Sequence, residues 1–182
     1  MELPFIRTKR LLLTLLTPQY AQLLMRYRIN NQQHLAPWEP SRSQEYFHES
    51  ASLQSAQISL DLYFAGSAMQ LIALNETQDE IVGVCNFNNI IRGPFQACFL
   101  GYSIAQCSQG QGLAKEMLTA AVDFAFKTLK LNRVMANYLP HNLRSGQLLQ
   151  QLGFEKEGLA RRYLQIDGQW QDHILTAKVA PS

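Results

Sequence analysis

The chain has 182 residues, 47% of them hydrophobic and 16% charged, with a formal net charge of +2 and a pI near 8.5. That length buries a core without staples and reads as one domain over 1–182, while so mild a charge, with no run of five basic residues, leaves no footprint for DNA binding. Cys85, Cys98 and Cys107 lack a CxxC spacing, the histidines at 34, 48, 141 and 173 are scattered, and no signal-peptide series or long apolar run appears; this argues against a disulfide framework, a zinc pattern and a membrane span, and a cytoplasmic protein is expected.

Arg10 to Leu16 (RLLLTLL) reads as a first strand, and Thr17 followed by Pro18 opens a helix predicted to run to about Ile29. The stretch NNQQHLAPWEPSRS from Asn30 carries two prolines and no period, which predicts a long loop bearing Trp38. Phe47, Leu53, Ile58 and Leu62 recur near helical spacing, so a second helix is expected from Gln44 to about Phe64, ended by Gly66. MQLIALNE, IVGVCNFNNII and ACFLGYSI then form a meander of strands joined by turns at ETQD and RGPF. Leu113, Met117, Leu118, Ala121, Val122, Ala125 and Leu129 mark one face of a long helix. RVMANYL is a strand, Asn142 caps another helix that stops at Gly153, and FEKEGLARRYLQ, IDGQ and WQDHILTAKV close the chain as a hairpin. The order βααβββαβαββ predicts an α+β (α/β) fold, a mixed sheet of about seven strands with helices on both faces.

Between the strand ending at Ile104 and the helix starting near Leu113 lies CSQGQG, with glycine at 110 and 112. A strand, a glycine turn and a helix N-terminus together expose main-chain N–H groups and the positive end of a helix dipole, a combination that binds phosphate; a plain tight turn is the alternative. The P-loop pattern GxxxxGK[ST] is absent, and the dinucleotide pattern GxGxxG fails at Lys115.

The turn resembles the coenzyme A pyrophosphate loop [QR]xxGx[GA] of the Gcn5-related N-acetyltransferases (GNAT), departing at Cys107, where that family has Gln or Arg. HLAPWEP (34–40), LGYSIAQ (100–106), ANYLPHNLRSGQLLQQLGFEKEG (136–158) and LQIDGQWQDHILTA (164–177) resemble the RimJ/RimL branch, in particular its RimJ-like acetylases of a ribosomal protein's N-terminal alanine. The resemblance implies a sheet splayed between the fourth and fifth predicted strands, acetyl-CoA as cosubstrate, no metal, and a ribosomal protein N-terminus as partner. A monomer and a homodimer both stay open. It implies coenzyme contacts at Tyr102, Ser103, Ile104, Gln109, Gly110, Gln111, Gly112, Leu113, Ala114, Lys115, Asn142 and Ser145.

Acetyl transfer needs a neutral amine and help for the departing thiolate, whose conjugate acid has a pKa of about 8.5. Ser145, in the first turn of the helix capped by Asn142, is the candidate donor to the sulfur, as the resemblance to RimL-type enzymes implies for the serine of NxxS; the position one turn further on, where many family members have Tyr, is Leu149. The places where related branches have a glutamate are Leu164 and Asn137 here, so Glu39 and Asp172 stand as base candidates acting through water. A protein α-amine, with pKa about 7.7–8.0 against about 10.4 for lysine, is easier to deprotonate by roughly 3.4 kcal/mol, which favours an N-terminal acceptor at a site without a strong base. Trp38, Tyr138 and Tyr163 are candidates for the acceptor mouth. A small-molecule or lysine acetyltransferase, and a coenzyme-binding module without turnover, are the competing readings.

Overall fold

Two short apolar strands, β1 (Phe5–Arg7) and β2 (Leu12–Leu15), begin the chain in the computed structural model, which describes residues 2–181. α1 (Ala21–Leu35) and α2 (Glu49–Phe64) follow, and then the meander β3 (Met69–Leu74), β4 (Ile81–Ile91) and β5 (Ala97–Ile104). α3 (Leu113–Lys127), β6 (Arg133–Met135), α4 (Leu143–Gln151), β7 (Glu155–Ile166) and β8 (Gln169–Val179) complete it. The strands form one eight-stranded sheet in the order β1-β2-β3-β4-β5-β6-β8-β7. Among the described residues only β5 and β6 run parallel, consistent with their connection through α3. The hairpin of β7 and β8 closes on Asp167 and Gly168, both at positive φ (45° and 73°), the signature of a two-residue turn matched to strand twist.

Each sheet face has its own core. Met117, Leu118, Ala121 and Val122 of α3 cover one face, against Leu13, Leu71, Cys85, Phe87, Cys98 and Val134. Leu24 and Tyr27 of α1 and Ala56 of α2 cover the other, against Leu12, Ile72, Leu74 and Val84. Paired strand residues alternate between these two faces, and this decides which side chains can meet.

Four boundaries differ from the sequence reading. The strand Phe5–Arg7 makes the eighth, paired to β2 in register Ile6↔Leu13. α1 does not stop near Ile29 but runs to Leu35, through residues whose polarity suggested a loop. The reason is tertiary: Asn31 is only 5% exposed, its amide donating to Tyr27 O (2.8 Å) and accepting from Gln106 N (2.8 Å). α2 starts at Glu49 rather than Gln44, because His48 is extended (φ −84°, ψ 155°) and separates the helix from a 3-10 turn at Gln44–Phe47. The strand expected over RVMANYL pairs as β6 only to Met135; beyond it Ala136 N and Tyr138 N donate to Thr176 O and Ile174 O of β8 instead.

Candidate active site

That last departure creates the site. β5 and β6 pair only at Ala97↔Arg133, Cys98↔Val134 and Phe99↔Met135. Past these, Leu100–Ile104 stay with β4, while residues 136–138 follow β8. Thr176 pulls this second arm away, its Oγ1 donating to Ala136 O and its N–H donating to Asn137 Oδ1. A V opens in the sheet between the fourth and fifth strands of the sequence reading, and each arm carries main-chain groups without a strand beside them.

α4 places its N-terminus across the V. Asn142 is its cap, with Oδ1 accepting from Ser145 N at 3.2 Å. Ser145 Oγ lies 2.7 Å from Tyr102 Oη on the opposite arm. Burial drives the Tyr102 phenol up to about 12, against a smaller opposing pull from the Ser145 hydrogen bond, so both hydroxyls keep their protons at neutral pH. Tyr138 packs on the same helix: a Cβ at Gly146 would lie 2.8 Å from its ring, so only glycine lets the ring sit there. Leu149 is 1% exposed and belongs to the core.

The glycine turn lies at the wide end of the V. Gly110 and Gly112 have φ of 73° and 76°, left-handed values that side chains resist, and Gly112 is the N-cap of α3. The turn's other polar groups are tied off behind it. Arg10 Nη1 donates to Gln111 O (2.9 Å), Gln111 Nε2 donates to Cys107 O (2.8 Å), and Asn31 holds Gln106 N. Gln109 Oε1 accepts from Arg144 (3.0 Å), and its Nε2 lies 2.9 Å from His34 Nε2. The main-chain N–H groups of Gly110 to Lys115, by contrast, find no acceptor among the described residues. Such a run at a helix N-terminus is a cradle for a diphosphate. Lys115 lies in the first turn of α3 beside it.

Glu116 braces this cradle from below. Its carboxylate accepts from Thr8 Oγ1 (2.7 Å), Arg10 N (2.7 Å) and Arg10 Nε (2.8 Å). Burial raises its pKa, but these hydrogen bonds more than offset that, and the group lies below the usual carboxylate range.

The remaining candidates divide by face. Tyr102 and Ile104 pack with the α3 side of the core, so Ser103 between them points the other way, its Oγ 2.8 Å from Tyr27 Oη. On that opposite face, Asn137 Nδ2 donates to Tyr163 Oη (3.1 Å), and Tyr163 lies 5.5 Å from the His173 ring. His173 is 4% exposed, and burial holds it below the ordinary imidazole value. Trp38 ends a 3-10 turn and lies 5.6 Å from His141, just before α4, which brings the loop after α1 over the mouth. Glu39 makes a long ion pair with Arg42 (3.5 Å), and its carbonyl accepts from Asp167 N (3.1 Å). Asp172 Oδ1 accepts from Arg162 N (2.8 Å) at a bulge in β7, where Arg162 has φ 48°. Both carboxylates thus have local structural partners.

Sequence reasoning missed Arg10, Asn31, His34, Glu116, Arg144 and His173. Arg10 reads only as the first residue of an apolar strand. Asn31 and His34 sit in the stretch taken for a loop. None forms a motif with its neighbours in the chain, and each acts across a separation that only the fold closes, such as the 106 positions between Arg10 and Glu116.

Comparisons with known proteins bear on this geometry. The family of acetyltransferase (GNAT) domains matches residues 10–155. The [ribosomal protein uS5]-alanine N-acetyltransferase of Escherichia coli (strain K12) is 46% identical over 176 residues, 97% of this chain and 91% of that one. The crystal structure of a ribosomal-protein-S5-alanine acetyltransferase from Vibrio fischeri superposes with a TM-score of 0.93 at 34% identity, covering 98% of each chain. Mycobacterium smegmatis RimJ in complex with CoA-disulfide superposes with a TM-score of 0.89 at 27% identity, covering 98% of this chain and 87% of that one.

Proposed function

The chain belongs to the GNAT acetyltransferase family, and from that premise we propose that it transfers the acetyl group of acetyl-CoA to the N-terminal alanine of a uS5-type ribosomal protein, by direct attack of the amine on the thioester. The observation that carries the acceptor is the 46% identity along 97% of the chain to an enzyme named for that reaction. We take residues 1–182 as one catalytic domain, since a single sheet joins both arms of the V. A ribosomal protein as acceptor sets the place of action in the cytoplasm.

The residues present fit the coenzyme. The N–H groups of Gly110 to Lys115 bind its diphosphate, Lys115 adds charge beside them, and Gln109 fixes the turn between α1 and α4. The free edge of β5 at Tyr102, Ser103 and Ile104 offers main-chain groups to the two amides of the pantetheine arm, as an open strand edge receives a peptide. When bound, acetyl-CoA supplies the activated acyl group. Ser145, aligned by the Asn142 cap and polarised by Tyr102, donates a hydrogen bond where the sulfur's negative charge grows. Trp38 and Tyr163 line the acceptor side of the mouth, and Tyr138, on the α4 side, sets its width. The amine reacts neutral, and its proton leaves through water towards Glu39 or Asp172.

Intact-mass measurement tests the reaction. An alanine-starting peptide copied from the uS5 N-terminus gains one acetyl group in the presence of acetyl-CoA, and the same peptide with a blocked α-amine gains none. Turnover of polyamines or lysine peptides with no gain on the alanine peptide overturns the acceptor assignment; acetyl-CoA binding with no free thiol released from any acceptor overturns catalysis itself.

A further inference from the structure

Behind the V, on the α1 face of the sheet, lies a cavity of about 260 Å3 walled by Tyr27, Arg28 and Gln32 of α1, by the Glu39–Phe47 loop and by Asp167 of the β7–β8 turn. Its floor is sheet, and the floor changes character along the strands. Towards one end this face is apolar, with Ile72, Leu74 and Val84 under α1 and α2. At the level of the V the same face presents one row across three neighbouring strands, Gln70↔Asn86↔Gly101.

Two features of this row point to a ligand. Asn86 Oδ1 is buried and has no hydrogen-bond partner among the described residues, although such an atom ordinarily has one. Gly101, the row's last member beside the V, leaves open space: a Cβ there would meet nothing within 4 Å.

Resting on the acceptor reading above, we propose that Asn86, with Gln70 beside it, binds the first peptide units of the acceptor, and that the side chain missing at Gly101 is the passage by which the α-amine reaches the V. A side-chain amide offers one carbonyl and one NH2, the complement of a single peptide unit. The spacing agrees. Neighbouring strands lie about 4.8 Å apart, which puts Asn86 one strand spacing, about 5 Å, behind the V and Gln70 about 10 Å behind it. An extended peptide advances about 3.3–3.6 Å per residue, so the first peptide bond falls at Asn86 and the second or third at Gln70. Recognition is thereby of main chain following an amine. A lysine side chain has only methylenes at that distance from its amine and leaves Asn86 Oδ1 without its donor.

The test compares an alanine-starting peptide with its analogue in which an ester oxygen replaces the first peptide N–H, using thiol release at saturating acetyl-CoA. The wild type gives a KM for the ester analogue at least 10-fold above that for the peptide, and Asn86→Leu raises the peptide KM by a similar factor while erasing the difference and lowering kcat less than threefold. Gly101→Val, whose side chain enters open space, raises the peptide KM at least 10-fold with unchanged acetyl-CoA affinity by calorimetry, and so serves where Asn86→Leu folds poorly. If the wild type treats peptide and ester alike, or if Gly101→Val leaves the peptide KM unchanged, the inference falls while the acceptor assignment stands. If no alanine peptide is acetylated while another amine is, both fall together.

Discussion

Removing either hydroxyl of the Tyr102–Ser145 pair separates two ways of helping the thiolate leave. The Tyr102 phenol lies at about 12, and a coenzyme thiol at about 8.5. Full proton transfer from the phenol to the thiolate is therefore uphill across about 3.5 pH units, roughly 4.8 kcal/mol. On the mechanism proposed above, Tyr102 keeps its proton and the pair acts by hydrogen bonding alone, with the two oxygens 2.7 Å apart. A hydrogen bond to a charged group contributes about 1.5–3 kcal/mol, so Ser145→Ala lowers kcat by roughly 10- to 150-fold with little change in acetyl-CoA affinity. Tyr102→Phe removes only the polarising partner and costs less, about 2- to 13-fold, from 0.5–1.5 kcal/mol, the range of a neutral hydrogen bond. Thiol release measured from about pH 6 to about pH 9.5 reads both, and neither variant bends the profile near the top of that range, because the phenol does not ionise there. An unchanged kcat in Ser145→Ala removes the pair from the mechanism. A Tyr102→Phe deficit larger than that of Ser145→Ala would make Tyr102 the direct donor.

Gly112→Ala meets nothing closer than Arg10 Nη2 at 3.7 Å, so its cost is conformational. About 1–2 kcal/mol for a left-handed alanine lowers Tm by a few degrees, while acetyl-CoA affinity falls at least 10-fold by calorimetry as the amide cradle turns. At Gly146 the reverse holds: an alanine Cβ 2.8 Å from the Tyr138 ring overpacks the site, which costs about 1–3 kcal/mol in thermal or urea unfolding. Glu116→Gln tests the brace by pH. The folded carboxyl lies below its unfolded value, so its stabilisation is complete above the unfolded pKa of about 4.3 and is lost as pH falls through the folded one; the Tm gap between wild type and variant is wide near pH 7 and narrows towards about pH 3. For the alanine peptide, kcat/KM rises with pH and levels near the amine's own pKa of about 8. If Glu39→Gln or Asp172→Asn lowers kcat/KM across the whole profile without moving that rise, the carboxylate concerned is the base.

What was legible in the sequence was what is local. The glycines at 110 and 112 announce their left-handed φ because few other residues accept it, and Asn142 reads as a cap because its role closes within three positions. Alternation in ACFLGYSI fixed a strand, and the long helix after it followed from one apolar face. What did not read was what tertiary contact decides. Asn31 extends α1 past its apolar pattern because its amide bonds to Tyr27 O and Gln106 N at once, the second of these 75 residues away. The early end of β6 was hidden likewise: RVMANYL has strand composition throughout, and only Thr176, which takes hold of residues 136 and 137, diverts it to β8.

On the proposed function, alternation along β5 lets one strand serve two substrates. Tyr102 faces α4 and the Ser145 hydroxyl, whereas Gly101 and Ser103 on either side of it lie on the α1 face of the sheet, where Ser103 lines the cavity. In a continuous sheet a paired neighbour would seal these faces from each other, since adjacent strands lie only about 4.8 Å apart and share their hydrogen bonds. Because the second arm leaves after Met135, a group on the α1 face can reach through the gap to a carbonyl held on the α4 face. On the reading proposed above, the geometry asks of the acceptor a slender amine at the end of a chain, and the chemistry asks for one partly neutral near pH 7, since Glu39 and Asp172 each already have a protein partner. An α-amine on a residue as small as alanine meets both demands. A lysine amine, with its pKa near 10.4, meets only the first.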